Sequence, residues 1–144
     1  MELFYFPVSP FSHKVQLALA IKGIECEFTP VRPYKAEERE HYRETYPLGK
    51  LPLLKDRGVL IPESSFIVEY LDAQGEGPAL IPADAKGSRD VRLKDRLIDC
   101  YVIAPSIAWF FENLRPEAQR DQGKLAKGIH EITQAYAMLE GALE

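Results

Sequence analysis

The chain has 144 residues, of which 18 are basic and 22 acidic, so its formal charge is −4 with histidine neutral. That length holds one ordinary domain or two small ones and can bury a real core. With 46% hydrophobic and 28% charged residues, the chain is neither disordered nor fibrous, and its apolar runs fall far short of a bilayer span. The mild negative balance, with no basic run, argues against nucleic acid or an anionic membrane as partner. No basic residue precedes the apolar stretch of MELFYFP, which argues against a secretory signal. Cys26 and Cys100 are too few for a disulfide framework and lack metal-ligand spacing, so a reducing, cytoplasmic setting is expected.

In chain order, Leu3-Phe4-Tyr5-Phe6 reads as a short buried strand ended by Pro7. Ser9-Pro10 then opens a helix, Ser as N-cap and Pro pre-set for the first turn, and Lys22-Gly23 closes it. Cys26 to Val31 is a second strand, and residues 35–45 are a polar helix or ordered loop. Leu53-Leu54-Lys55 and Val59-Leu60-Ile61 flank Asp56-Arg57-Gly58 as a hairpin, and Ser64 to Asp72 has helical periodicity. The order is therefore β-α-β and then β-β-α, a mixed α/β sheet domain over 1–75. A Gly/Pro-rich linker follows over 76–87, and an all-α region with two long helices over 88–144.

The first of those helices, 88–114, carries Leu93, Leu97, Tyr101, Ala104 and Ala108 on one stripe, and Pro105 is expected to kink it. The second carries Leu125, Ile129, Ile132, Tyr136, Leu139 and Leu143, a wide apolar seam that predicts self-association.

Four features of the first domain fit one another. Ser9-Pro10-Phe11-Ser12 sits where a strand meets a helix N-terminus, whose N–H groups and partial positive charge favour an anion. A serine hydroxyl there is too weak an acid to be a base, but it can donate a hydrogen bond to a thiolate. Alone, Ser9 reads as an N-cap. Lys50-Leu51-Pro52-Leu53 precedes the hairpin, and a cis bond at Pro52 would turn the Leu51 backbone outward to pair with an extended peptide. Glu63-Ser64 opens the next helix, where the Ser hydroxyl and nearby N–H groups suit a carboxylate and Glu63 suits an amine. Positions 9 and 12 are Ser and not Cys, so dithiol–disulfide exchange has no reagent.

Strand, SPFSHKV, helix, then LGKLP before a hairpin, PESSFIVEYL on the last helix and PALIPAD in the linker together resemble the cytosolic glutathione transferases. The register is most similar to the serine-using delta, theta, zeta and phi classes and their bacterial relatives. The likeness is close over 1–84 and looser over 88–143. In the family the helical domain continues past the point where this sequence stops, so the resemblance implies a shortened helical part and makes glutathione binding firmer than turnover.

The resemblance implies a thioredoxin-like first domain and a helical second. It places Ser9 on the catalytic serine and Ser12 as a second candidate in the same turn. Leu51 falls on the residue whose backbone pairs with the glutathione cysteine, and Pro52 on the cis-proline. Glu63 and Ser64 fall on the pair that binds the γ-glutamyl amine and carboxylate, and Lys50 near the glycine carboxylate. Glutathione as cosubstrate, no metal, a hydrophobic electrophile as second substrate, a homodimer and a detoxification role all follow from the same likeness. The alternative is a non-catalytic transferase-like binding or interaction module.

Other residues read as structural. Trp109-Phe110-Phe111 suit core or interface before pocket lining; His13 reads as a solvated helix residue within reach of the site; His41 and His130 read as surface. Cys26 suits a strand position and Cys100 a helix-packing one.

Overall fold

The computed structural model describes residues 1–141, arranged in two compact units that meet at Ala85–Lys86. The first unit runs β1 (Glu2–Tyr5), α1 (Pro10–Lys22), β2 (Glu27–Pro30), α2 (Ala36–Thr45), β3 (Leu53–Asp56), β4 (Val59–Pro62) and α3 (Ser64–Asp72). The sheet order is β2-β1-β3-β4, with β1 parallel to β2 and antiparallel to β3, and β3 antiparallel to β4. This is the mixed sheet of the thioredoxin-like architecture expected from the sequence.

Local chemistry explains the element ends. Pro10 occupies the first turn of α1, and Gly23 at φ 63° ends it. There Ile24 N–H reaches Leu19 O (3.0 Å) and Gly23 N–H reaches Ala20 O (3.2 Å), the paired bonds of a Schellman motif. Asp56 and Val59 are register partners, leaving Arg57 (φ 48°) and Gly58 (φ 81°) as a two-residue turn with both central φ positive, the hairpin type whose twist matches the strands.

Alternation along the strands separates two cores. Leu3, Leu54 and Ile61 pack with Val15, Leu19, Ile67 and Leu71 from α1 and α3. On the other face Leu53 packs with Val31 and with Tyr42 of α2, Phe4 lying beside them. Removing one such leucine costs about 2–5 kcal/mol.

The linker is tied by a node that the sequence did not disclose. Lys22, a basic last-turn residue by position, is buried, and its ammonium donates to Asp72 Oδ1 (3.1 Å), Gly77 O (3.0 Å) and Pro78 O (3.2 Å). The Asp72 carboxylate also accepts the Leu80 and Ile81 N–H groups (2.9 and 3.1 Å). Burial opposes the charged carboxylate, but these donors together hold Asp72 below its ordinary value.

In the second unit α4 (Ala85–Ile98) opens ahead of residue 88, and a π turn over Asp99–Ile103 joins it to α5 (Ala104–Asn113). Pro105 cannot donate to the Tyr101 carbonyl, and the chain widens just before it: Ala104 N–H reaches back five residues to Asp99 O. This insertion shifts the register beyond it, and the expected stripe is not buried: Leu93, ahead of the turn, and Tyr101, within it, are 55% and 57% exposed, and Ala104 and Ala108 are exposed too. Cys100, expected in packing, is exposed on the π turn.

Helix α6 (Gln122–Gly141) follows a 3-10 turn at Glu117–Gln119. Asp121 caps it through Oδ1 and the Lys124 N–H (3.1 Å), and the Glu112 carboxylate accepts the Asp121 N–H (2.8 Å). The expected α6 seam is half corrected. Leu125, Ile132 and Leu139 are half-buried, but Gly128 and Ala135 are buried where Ile129 and Tyr136 stay exposed. The reason is close approach: a Cβ on Gly128 would lie 3.3 Å from Trp109 Cβ, so small residues form the contact and Trp109 packs on α6. Leu143 lies outside the described residues.

Candidate functional site

Strand register gathers the candidate residues. Phe4 pairs with Leu53 and Leu53 with Pro62, so Pro52 lies next to the end of β1, and Glu63 next to the start of β3. The turn after β1 (residues 6–9), the Leu51–Pro52 peptide and the Glu63–Ser64 step therefore share one end of the sheet. Both α1 and α3 begin there. Neither has an acidic residue in its first turn, and neither N-cap residue makes a side-chain capping bond. Two sets of opening N–H groups and two positive helix ends thus face the same region.

Ser9 is 94% buried by its neighbours (6% exposed) and occupies the N-cap position of α1 with its side chain making no capping bond. Its backbone is fixed: Ser9 N–H donates to Phe6 O (2.9 Å) and His13 N–H to Ser9 O (3.0 Å). The hydroxyl that sequence alone assigns to capping is not spent there. Ser12, the second candidate, lies in the same turn. It is fully buried, and its Oγ accepts the Phe6 N–H at 3.1 Å, because one turn into α1 it faces back toward the strand.

The Leu51–Pro52 bond is cis, with Leu51 half-buried and Pro52 buried. The Lys50 side chain is exposed, and its carbonyl accepts the Tyr42 hydroxyl at 2.7 Å. Tyr42 is a residue that sequence reading missed. It is buried in the second core, and burial, with Tyr46 nearby, pushes its phenol well above the ordinary value, so it remains a donor at all working pH. Its only sequence signal is an aromatic residue inside the polar run 35–45.

Glu63 is exposed and takes φ 67°, ψ 113°, a region an L residue enters only when its surroundings hold it there, at about 1–3 kcal/mol. Ser64 is buried as the first residue of α3, one place later than an N-cap, and Ile67 N–H closes the turn onto Glu63 O (2.8 Å). Nearby, Lys14 Nζ donates to Ser65 Oγ (3.1 Å), tying α1 to the opening of α3. A groove of about 410 Å³ runs along α1 from Pro10 past His13 to Ile21, bounded by Val68 and Leu80. His13 is exposed but not merely solvated, since its Nε2 lies 2.7 Å from Pro7 O. His41 lies on the surface, 3.4 Å from Glu44. The Cys26 thiol is raised above its ordinary value, chiefly by burial, and so is poorly nucleophilic. Among the described residues, no three His, Cys, Asp or Glu side chains are grouped to hold a metal ion.

Comparison with known proteins gives a consistent result. The model of the glutathione S-transferase N-terminal domain matches residues 3–79. An uncharacterised GST-like protein of Escherichia coli K12, YibF, is 33% identical over 99% of this chain and 70% of its own length. The maleylpyruvate isomerase of a Ralstonia species is 29% identical over 87% of this chain and 59% of its own length. Among solved structures, a glutathione S-transferase of Methylobacillus flagellatus with glutathione bound superposes with a TM-score of 0.85 at 29% identity, covering 97% of this chain and 68% of that one. A zeta-class bacterial maleylpyruvate isomerase superposes with a TM-score of 0.82 at 28% identity, over 98% and 68% of the two chains.

Proposed function

Because this chain belongs to the glutathione S-transferase family, we propose that it binds glutathione where α1 and α3 begin and directs the glutathione thiolate at a small electrophile. The observation that carries the reading is the convergence, at one sheet end, of an uncapped Ser9 hydroxyl, the cis Leu51–Pro52 peptide and the strained Glu63–Ser64 step. Glutathione-bound relatives support it.

In this reading the γ-glutamyl carboxylate takes the opening N–H groups of α3 and the Ser64 hydroxyl, and Glu63 takes the amine. The backbone of Leu51 pairs with the glutathione cysteine, Pro52 shapes that edge, and Lys50 lies near the glycine carboxylate. The sulfur then sits against the N-terminus of α1, with Ser9 donating to it. A thiol with pKa near 8.5 is only ~3% ionised at pH 7, and one at 6.5 is roughly three-quarters ionised. That shift asks for about 2.7 kcal/mol of selective thiolate stabilisation. One charge-assisted hydrogen bond of ~1.5–3 kcal/mol, with the helix end, supplies it. The thiolate sulfur then forms a bond to electrophilic carbon, and a leaving group departs with its electron pair. The groove beside Pro10 and His13 is the place offered to the electrophile.

The similarity to maleylpyruvate isomerase supports a second outcome of the same thiolate: reversible addition to a carbon–carbon double bond, rotation and elimination, which regenerates glutathione. Conjugation consumes one glutathione per turnover and isomerisation consumes none, so following free thiol during turnover separates them. A homodimer is proposed as well. Phe66 on α3 and Leu93, Ile98 and Tyr101 in and after α4 are exposed apolar residues on the elements that pair in the family. A monodisperse monomer in light scattering at micromolar concentration contradicts that. A cytoplasmic detoxification role is the setting proposed for this chemistry.

The reading is tested by calorimetric titration with glutathione. Binding that weakens at least tenfold in both Glu63→Gln and Ser64→Ala supports it. A folded wild-type protein that binds no glutathione overturns it and leaves the non-catalytic interaction module.

A further inference from the structure

We infer that His13 is a positioning residue for Ser9: its ring holds the Pro7 carbonyl and so fixes the turn that presents the Ser9 hydroxyl. What Ser9 does rests on the glutathione reading above; how His13 acts rests on geometry. His13 Nε2 lies 2.7 Å from Pro7 O. A carbonyl oxygen only accepts, so Nε2 carries the hydrogen in this contact.

The turn is otherwise held from one side. Ser12 Oγ accepts the Phe6 N–H from within the core (3.1 Å), and Ser9 N–H returns to Phe6 O (2.9 Å). Pro7 and Val8 between them are both exposed, Val8 at 55%, so packing does little to fix the peptide that leads into Ser9. The His13 ring grips that stretch from the solvent side. Its own backbone is anchored to the same turn, since His13 N–H donates to Ser9 O (3.0 Å). Ring and backbone of one residue therefore clamp Pro7 and Ser9 together. Ser9 makes no side-chain capping bond, so the position of this backbone decides where its hydroxyl starts from. Displacement of a catalytic hydroxyl by about 1 Å can cost up to ~100-fold in rate. Losing one clamp of several is expected to cost about tenfold.

The test uses three variants and two readouts. In ligand-free wild-type protein, imidazole nitrogen shifts should report the Nε2–H tautomer for His13; the Nδ1–H tautomer overturns the inference. With glutathione bound, His13→Ala should raise the pKa of the bound thiol by about one unit and lower kcat roughly tenfold with a general electrophile. His13→Gln, whose amide N–H can reach the same carbonyl, should restore most of both.

Adding His13→Ala to Ser9→Ala should not raise the pKa of the bound thiol further, because the ring acts on the thiol only through Ser9. A full effect in that background, or a Gln variant as impaired as the Ala one, overturns the inference by showing that the imidazole acts on the reaction directly. An unshifted thiol in His13→Ala overturns it as well. A wild-type protein that shows the Nε2–H tautomer yet binds no glutathione overturns the functional reading and, with it, this role. The tautomer readout keeps that failure distinct from a misplaced ring.

Discussion

Ser9 and Ser12 stand three residues apart in one turn, and the proposed function predicts opposite consequences on truncation. Ser9 makes no side-chain capping bond, so Ser9→Ala removes no capping interaction and should cost no more than about 1 kcal/mol of stability. Its cost falls on chemistry. Losing one charge-assisted hydrogen bond of ~1.5–3 kcal/mol lowers turnover roughly 10- to 150-fold and raises the bound thiol's pKa by one to two units, about. Ser12 is fully buried and its Oγ accepts the Phe6 N–H. Ser12→Ala takes that acceptor away inside the core, at about 1–3 kcal/mol. For a chain of this size that is a fall in Tm of roughly 3–10 °C. Its effect on rate should be several-fold at most, through slack in the turn. Thermal melts alongside pH–rate profiles for both variants make the comparison. A Ser12→Ala protein of wild-type stability with the larger loss of turnover refutes the reasoning, because it places the functional hydroxyl one turn further along α1.

Tyr42→Phe removes only the hydroxyl that holds the Lys50 carbonyl, so it should cost about 1 kcal/mol of stability and weaken glutathione binding a few-fold while leaving the bound thiol's pKa unchanged; calorimetry and the thiol titration check the split. Lys22→Ala leaves the Asp72 carboxylate without its buried cation and should destabilise by about 3–5 kcal/mol in denaturant melts. Asp72 sits below its ordinary value when folded, so its contribution is complete above the unfolded value near ~4 and disappears as pH falls through the lower folded value; Asp72→Asn should flatten the acid limb of stability against pH below about 4. Gly77→Ala places a Cβ 2.2 Å from the Ile21 carbonyl oxygen, so it should lower Tm sharply, whereas Gly58→Asn, which meets open space but a φ of 81° that L residues rarely adopt, should cost only about 1 kcal/mol.

Most of the first unit could be read from local chemistry because its signals are local. Ser9-Pro10, Lys22-Gly23 and Arg57-Gly58 each fix a backbone event within a few residues, and the structure puts a helix start, a helix end and a hairpin turn there. The gathering of residues 9, 51, 52, 63 and 64 was visible only through likeness to a family, since nothing in the spacing states which strand ends meet. Tyr42 and the Lys22–Asp72 node stayed hidden because most of their partners are backbone carbonyls and N–H groups, which leave no residue signature, and because Lys22 and Asp72 lie far apart in the chain. In the second unit periodicity misled. A π turn just ahead of Pro105 shifted the later half of one stripe, and Gly128 and Ala135 outcompeted Ile129 and Tyr136 for the buried face because they allow the helices to approach. His13 was legible as a neighbour of the site but not as a donor to Pro7, a contact made by the ring reaching back across the turn.

The central claim is that this sheet end holds glutathione with its sulfur ionised. The direct measurement is a pH titration of the ultraviolet thiolate absorbance of glutathione bound to the wild-type protein, without an electrophile. The account expects an apparent pKa about two units below the free thiol's value of ~8.5. A bound thiol that titrates at the free value contradicts it.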